Sequence, residues 1–541
     1  MKKYVIGIDY GTLSTRAVLM NTVDGTVVAD SEYVYPHAIL DDEYFPGKNL
    51  KKTDAYQHPQ DYLDALSVTV KGVLKKASVC PESVVGIGLD FTACTPLPVL
   101  EDGTPLCFME EFRNEPQAYV KLWKHQSAQK EAAAITQAAE KTDAPWLQYY
   151  GGKISAEWFF PKLWELLRKA PHVFSACSQY LEAGDWLTWK LTGNAVRSGC
   201  MAGYKALWNE DSGFPPNAFW ESLDPGLEGI IGTKVRENVK PAGSLAGRLS
   251  KEGSALTGLP EGIAVAVPII DAHAAVPGSG VTKSGEMVLI AGTSSCQLLL
   301  GDTDAPVAGI SGSVKNGVLP GHMAMEAGQA AVGDTFGWFV KNAVPESYEK
   351  LAREKNISVY ALLTEKAQAL QPGQSGLLAL DWFNGNRVPY SDGDLTGVIV
   401  GLNLHTKPEE IFRALIEATA FGTKSVVDTF QNSGVRVDRV FATGGISKKN
   451  PFMMQLYADV LGKEIRIVSS SQATAKGSAI LAAAAAGEYD SIAQAIETLA
   501  DPSEQTYYPN MEHHETYQKI YTQYRRMCAF FANDPVMKEL K

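Results

Sequence analysis

A chain of 541 residues far exceeds the size at which one hydrophobic core keeps growing, so at least two lobes are expected. Apolar residues make up 45% and charged residues 20%, the balance of an ordinary soluble enzyme with no region poor enough in apolar residues to be disordered. The net charge of -12 excludes a binder of nucleic-acid backbones and repels polyphosphates, so any phosphate site must rest on local N–H groups, hydroxyls and a metal ion.

The 7 cysteines are scattered, odd in number and without a C-x-x-C pair, which reads as reduced thiols in a cytoplasmic protein. Asp9 interrupts the first apolar run, and the small-apolar run from Ala479 to Gly487 is too short to span a bilayer, so neither export nor membrane insertion is expected.

In chain order, YVIGIDYGTLSTRAVLM (Tyr4 to Met20) predicts a strand, a tight polar turn and a second strand. Gly11 admits close approach of backbone N–H groups to a phosphate. Thr12, Ser14 and Thr15 offer hydroxyls, and Asp9 is placed to hold a hydrated Mg²⁺. An ordinary hairpin is the alternative. Asp24-Gly25 then turns the chain into a third strand from Val27, completing an antiparallel meander. Tyr33 to Asp54 reads as a surface excursion, Pro59 to Ala77 as a helix, and Val84 to Leu89 as a buried strand ending at Asp90. Asp90, Thr92 and Ala93 thus lie at the carboxyl end of a strand, where α/β sheets place ligands and where Asp also simply starts turns.

Arg113 and Glu115 read either as polyol contacts or, preferably, as a surface pair, and Lys121 to Ala139 as an amphipathic helix with solvated charges. Trp158, Phe159, Phe160 and Trp164 form core or a cleft wall. Lys205, inside GYKALW, either buries its stem and sends its ammonium to water or points that ammonium at a sugar oxygen. Ile263 to Ile270 predicts one continuous strand. Asp271 follows it either as a helix N-cap or as a general base, and Gly278 and Gly280 form a crossover into a second lobe.

The second lobe opens on an echo of the first hairpin: MVLIAGTSSCQLLL (Met287 to Leu300) repeats strand, Gly-Thr-Ser-Ser turn and strand. Two such turns facing each other could grip a polyphosphate. Met323 to Gln329 runs from a strand into Glu326, a candidate for binding hydroxyls if it is not merely solvated. Pro408 starts a long helix with Glu409 and Glu410 in its first turn. After a strand from Arg439 to Ala442, Gly444-Gly445 makes either a tight turn or a bare backbone surface for a purine. Asn450 and Pro451 start a helix that Gly462 stops. Gln472 to Gly487 is a helix built of small residues for close packing, and Glu515 to Met527 a polar terminal helix.

Two hydroxyl-rich hairpins, an Asp at a lobe junction and a late Gly-Gly turn, with no G-x-x-x-x-G-K-[ST] element, resemble the FGGY carbohydrate kinase family over nearly the whole chain. The resemblance implies an α/β, two-lobed actin-like ATPase (ribonuclease H-like) fold with the active site in the interlobe cleft. The lobes would be residues 1–278 and 279–541. GLDFTACTPLPV, VKLWKHQ, GGKISAEWFFPKLW and GYKALWN are similar to family members that act on L-ribulose, implying transfer of phosphate from ATP, with Mg²⁺, to the terminal hydroxyl of that sugar. By the same likeness Asp9, Gly11, Thr12, Ser14 and Thr15 would form the first phosphate element and Gly292, Thr293 and Ser294 the second. Gly444, Gly445 and Asn450 would border the adenosine. Ala93, Lys205, Asp271 and Glu326 would surround the sugar, with Asp271 as the base and Asp9 and Asp271 on the metal side. The Arg113-Asn114-Glu115 segment departs from the Arg-centred motif of many relatives. The partners expected are the sugar and ATP, with no nucleic acid or membrane, and family likeness points to a homodimer. A kinase for xylulose, ribitol or glycerol, and a non-catalytic actin-like sensor, are the alternatives.

Overall fold

The computed structural model describes residues 2–304, 306–470 and 472–540. The chain forms two compact units. The first comprises Met1–Thr282, Ser313–Ala324 and Gln472–Asp501, and the second Lys283–Gly312, Met325–Ser471 and Pro502–Lys541. The division near Thr282 lies close to the expected one after Gly278, yet residues 472–501, which a single cut would leave with the second unit, pack into the first.

The sheet of the first unit begins with the predicted meander. Tyr4–Tyr10 pairs antiparallel with Ser14–Asn21, and that strand with Val27–Val34. Val84–Phe91 then lies parallel to Tyr4–Tyr10, in a register that sets Asp9 beside Asp90. The expected continuous strand from Ile263 to Ile270 is two short pieces, Ala264–Ala266 and Ile269–Ile270, both parallel to Val84–Phe91. Pro268 falls in the gap, and having no N–H it cannot continue a central ladder. Because Ile269 pairs with Asp90 and Ile270 with Phe91, Asp271 emerges next to Thr92 at the carboxyl end of the sheet.

The Pro59–Ala77 helix has the predicted bounds for identifiable reasons. His58 accepts the N–H of Gln60 at its start, Pro59 occupies the first turn, and Ser78 ends it in the left-handed conformation. The helix expected from Lys121 begins only at Gln129 and ends at Lys141. Lys121 instead belongs to a short strand, Val120–Lys121, and is buried, as is His125. Between these elements lies a large aromatic core that takes in Trp158, Phe159, Phe160, Trp164 and Trp220.

The Ala473–Ala485 helix covers this sheet at backbone contact distance. A Cβ on Gly7 would strike the carbonyl of Ala475, one on Gly88 the carbonyl of Ser478, and one on Gly86 would come within 2.8 Å of the carbonyl of Ala482. The same helix meets the Asp271–Gly278 helix equally closely: Gly278 faces the carbonyl of Ala473, and Gly477 that of Ala274. Small residues on both sides let main chains approach where any side chain would hold them apart.

In the second unit, the central sheet runs in the order Met323–Gln329, Ser295–Gly301, Glu286–Ala291, Arg439–Thr443, Ile465–Val468 and Ser503–Tyr507. The Pro408–Asn432 helix starts as predicted, Glu410 accepting the N–H of Lys407 at 2.7 Å. The terminal helix is longer than expected, Met511–Asn533. Its Tyr524 donates to Asp381 at 2.7 Å, and Asp381 accepts in turn from Gln329 at 2.8 Å, so buried polar groups tie that helix to the sheet. Among the described residues no helix is long and apolar enough to cross a membrane.

Gly88→Ala should therefore destabilise the protein by about 1–3 kcal/mol, the range for overpacking a filled interior. Gly393→Ala, where an added Cβ meets nothing within 4 Å, should stay within about 0.5 kcal/mol of the parent. Urea denaturation followed by intrinsic fluorescence compares the two.

Candidate active site

Three carboxylates end neighbouring parallel strands of the first unit. Asp9 and Asp90 sit side by side in register, and Asp271 follows the strand on the far side of Val84–Phe91. Asp90 is fully buried. Burial first, and then the adjacent Asp9, push its carboxyl well above the usual carboxylate range, which favours the neutral form, and Asp271 adds to the same field. The Ala473–Ala485 helix supplies the other partners: Thr474 Oγ1 donates to Asp9 Oδ2 at 2.9 Å and Ser478 Oγ to Asp90 Oδ2 at 2.6 Å. Thr474 and Ser478 are four residues apart and so share one helix face. The sequence reading assigned this helix to packing alone, although that spacing of hydroxyls was visible in it.

Asp271 is the first residue of its helix, and Ile270 holds the N-cap position with no side-chain bond. It is therefore not the cap that its local sequence suggests. Its Oδ1 accepts the N–H of Ala272 at 2.7 Å, and the residue is half-buried.

The first hairpin turn closes with Gly11 N–H donating to the carbonyl of Ser14 at 3.0 Å. Of its expected phosphate-binding hydroxyls, Thr12 is half-buried. Its Oγ1 accepts from the Trp123 indole at 3.0 Å and its carbonyl from Gln57 at 2.6 Å, so two side chains outside the hairpin brace the turn. Ser14 Oγ donates to Glu32 at 3.0 Å. Thr15 is fully buried and bonded to the Tyr35 hydroxyl at 2.8 Å, which removes it from the solvent-facing set for which it was expected.

In the second unit the echo turn closes in a related way, Gly292 N–H donating to the carbonyl of Ser294 at 2.9 Å. The start of the Gly333–Ala343 helix fixes this turn: Val332 and Asp334 donate to the carbonyl of Thr293, at 2.8 and 3.1 Å, and Gly333 to that of Gly292 at 3.0 Å. Thr293 is exposed. Gly444 has φ +98° and its Cβ would meet the carbonyl of Ala291, so it makes the tight turn. Gly445 is different, because an added Cβ there would meet nothing within 4 Å. Asn450 caps the next helix, its Oδ1 accepting the N–H of Met453 at 3.0 Å.

Lys205 does not send its ammonium to water. The residue is buried, with Nζ 6.0 Å from the ring centre of Trp158 and 5.9 Å from that of Tyr204. Tyr204 stacks on His273 at 4.3 Å, which sets the Lys205 segment against the helix that Asp271 opens. Ala93 is half-buried in the loop after Phe91, and the Cys94 thiol beside it feels the charges of both Lys162 and Lys205. Glu326, in the second unit, is a strand residue rather than a loop one, and half-buried. Arg113 and Glu115 are surface residues but not a pair: Arg113 lies 3.8 Å from Glu110, and Glu115 bonds Lys48 at 3.2 Å.

Asp54, His125 and Glu165 bring three potential metal ligands within 4.8 Å of one another. Their hydrogen bonds argue against a metal. His125 Nδ1 accepts the N–H of Ala55 at 3.1 Å, which leaves Nε2 to carry the proton it donates to Glu165 at 2.8 Å. Lys121 and Lys169 each bond Glu165 at 2.7 Å. Burial acts against the charge on Glu165, yet Lys121 and His125 hold its carboxyl well below the usual range, so the charges of the cluster are balanced within the protein.

Residues 4–278 match the N-terminal domain, and residues 287–486 the C-terminal domain, of the FGGY family of carbohydrate kinases. The chain is 46% identical to a ribulokinase of Anoxybacillus flavithermus, over 100% of this chain and 97% of that protein. It is 47% identical to a ribulokinase of Halalkalibacterium halodurans over the same shares. A xylulose kinase structure from Lactobacillus acidophilus superposes with a TM-score of 0.80 over 98% of this chain and 99% of that one, at 20% identity, a likeness of fold. These matches run through both units and through the hairpins and carboxylates described above, and the chain belongs to the FGGY family of carbohydrate kinases.

Proposed function

We propose that this kinase transfers the γ-phosphoryl group of ATP to the terminal hydroxyl of L-ribulose, giving L-ribulose 5-phosphate and ADP. Asp271 carries the reading. It is a half-buried carboxylate at a strand end, level with the Thr92–Ala93 loop and in the field of Asp90, in a chain 46–47% identical to ribulokinases. In this role Asp271 takes the proton of the sugar hydroxyl as the hydroxyl oxygen bonds to the γ-phosphorus and the bond to the β,γ-bridging oxygen breaks.

Lys205 and Glu326 hold sugar oxygens, Lys205 from an apolar, aromatic setting that strengthens its hydrogen bonds by excluding water. Asp9 suits Mg²⁺, a hard ion that prefers oxygen ligands, because Thr474 orients its carboxylate. Bound Mg²⁺ supplies neutralisation of charge on the phosphates. Gly11 and Thr12 form one phosphate-binding turn, Gly292, Thr293 and Ser294 the other, and the open backbone at Gly445 suits a flat purine beside Gly444 and Asn450.

Coupled ADP release over L-ribulose, D-ribulose, xylulose, ribitol and glycerol tests the assignment, with L-ribulose expected to give the highest kcat/KM. Asp271→Asn should lower kcat by about 10²–10⁴-fold with ATP affinity unchanged, and undiminished turnover would remove Asp271 from its role. The two hydroxyls of the first hairpin should separate. Thr12→Ala should raise KM for ATP about ten-fold. Thr15→Val should leave that constant within about two-fold and lower stability by about 1 kcal/mol, through loss of the bond to Tyr35.

A further inference from the structure

The loop Thr92–Thr95, between the strand that ends at Phe91 and the one that begins at Pro96, is held in an uncommon shape. Cys94 has φ +52°, a left-handed conformation that a residue with a side chain adopts only when its surroundings impose it. Two buried charged groups impose it here. Lys162, fully buried on the Phe159–Lys169 helix, donates from Nζ to the carbonyl of Cys94 at 2.6 Å and to that of Leu122 at 2.8 Å. Glu182, also buried, accepts the N–H of Thr95 through Oε2 at 2.7 Å. Inside the loop, Thr95 Oγ1 donates to the carbonyl of Ala93 at 3.1 Å and lies 2.9 Å from Thr92 Oγ1. A cation on one carbonyl and a carboxylate on the next N–H thus grip the Cys94–Thr95 peptide from its two polar ends, and charge-assisted bonds of this kind are about twice as strong as neutral ones.

A buried ammonium and a buried carboxylate are costly to place, and apolar residues would fill the same space. What these two accomplish is conformational. We propose that Lys162 is a positioning residue, assisted by Glu182, that locks Cys94 in the left-handed conformation and so presents Ala93 at the position required for the pentulose. Lys162 touches neither sugar nor nucleotide. It sets how well the sugar is bound and which sugar fits, and leaves the nucleotide half of the reaction alone. This inference rests on the proposed pentulose site.

The test uses a pair of substitutions at Cys94 that separate loop shape from packing. Cys94→Val keeps the buried space filled, adding about one methyl group, but is β-branched and resists a positive φ, whereas Cys94→Gly empties the buried space and accepts the left-handed conformation freely. If loop shape governs sugar binding, Cys94→Val should raise KM for L-ribulose at least five-fold and Cys94→Gly should leave it within two-fold, both with KM for ATP unchanged. Cys94→Gly should meanwhile be the less heat-stable of the two. Lys162→Met should match Cys94→Val in its sugar KM and weaken the preference for L-ribulose over D-ribulose and ribitol. If Lys162→Met does not accumulate as folded protein, the Cys94 pair decides alone. A larger sugar KM for the Gly variant than for the Val variant would overturn the inference. So would constants unchanged in both, or ATP and sugar constants rising together. Absence of pentulose-dependent ADP release from the parent enzyme would instead overturn the pentulose reading itself, which the parent assay reveals before any variant is compared.

Discussion

The first unit depends on one contact between main chains. The Ala473–Ala485 helix lies so close to the strands bearing Gly7, Gly86 and Gly88 that any side chain at these positions would meet a helix carbonyl, and Gly278 and Gly477 bring it equally near the helix that begins at Asp271. Dispersion falls steeply with distance, so an interface of bare backbone gains contact where larger side chains would have left gaps. The same closeness allows the short side chains of Thr474 and Ser478 to reach Asp9 and Asp90. A helix seated one methyl group farther out would leave both carboxyls without these partners.

That seating resolves an electrostatic difficulty. The protein carries a net charge of -12 and gathers Asp9, Asp90 and Asp271 at one end of a sheet, in a family whose co-substrate is itself an anion. Burial, Asp9 and Asp271 all push the Asp90 carboxyl above the usual carboxylate range, which favours its neutral form and eases the crowding, and Ser478 donates to it. Elsewhere in the same unit, the buried Lys162 and Lys121 donate to main-chain carbonyls, and Lys121 also to Glu165.

The amino-acid order displayed most of the frame and part of the site. Hairpins, the Pro59–Ala77 helix and the Asn450–Gly462 helix were legible because turn and cap chemistry is local: a Gly, Asn or Pro at the right offset suffices. Lys121 was misread as a helical surface residue because its burial is decided by Glu165, 44 positions away, and periodicity holds no information about a partner so remote. For the same reason Thr15 looked equivalent to Thr12. Their difference arises from Tyr35 on one side and Trp123 on the other, and neither is encoded in the hairpin itself. The echo between the two turns was visible as a repeated Gly-Thr followed by Ser residues, whereas the roles of Thr474, Ser478 and Lys162 emerged only once strands and helices distant in sequence were brought into register.

The covering helix is translated some 380 positions after the strand it covers, since Ser478 bonds Asp90 across 388 residues. Contacts of such separation form late, and domains otherwise tend to fold as they leave the ribosome. While the second unit is being synthesised, the glycine-lined face of the first sheet stays open to water and to other chains. Termination after the meander but before this helix is made would release a polypeptide whose sheet face lacks its cover. Synthesis of Asp9 and Asp90 and their bonding to Thr474 and Ser478 are therefore separated by most of the gene.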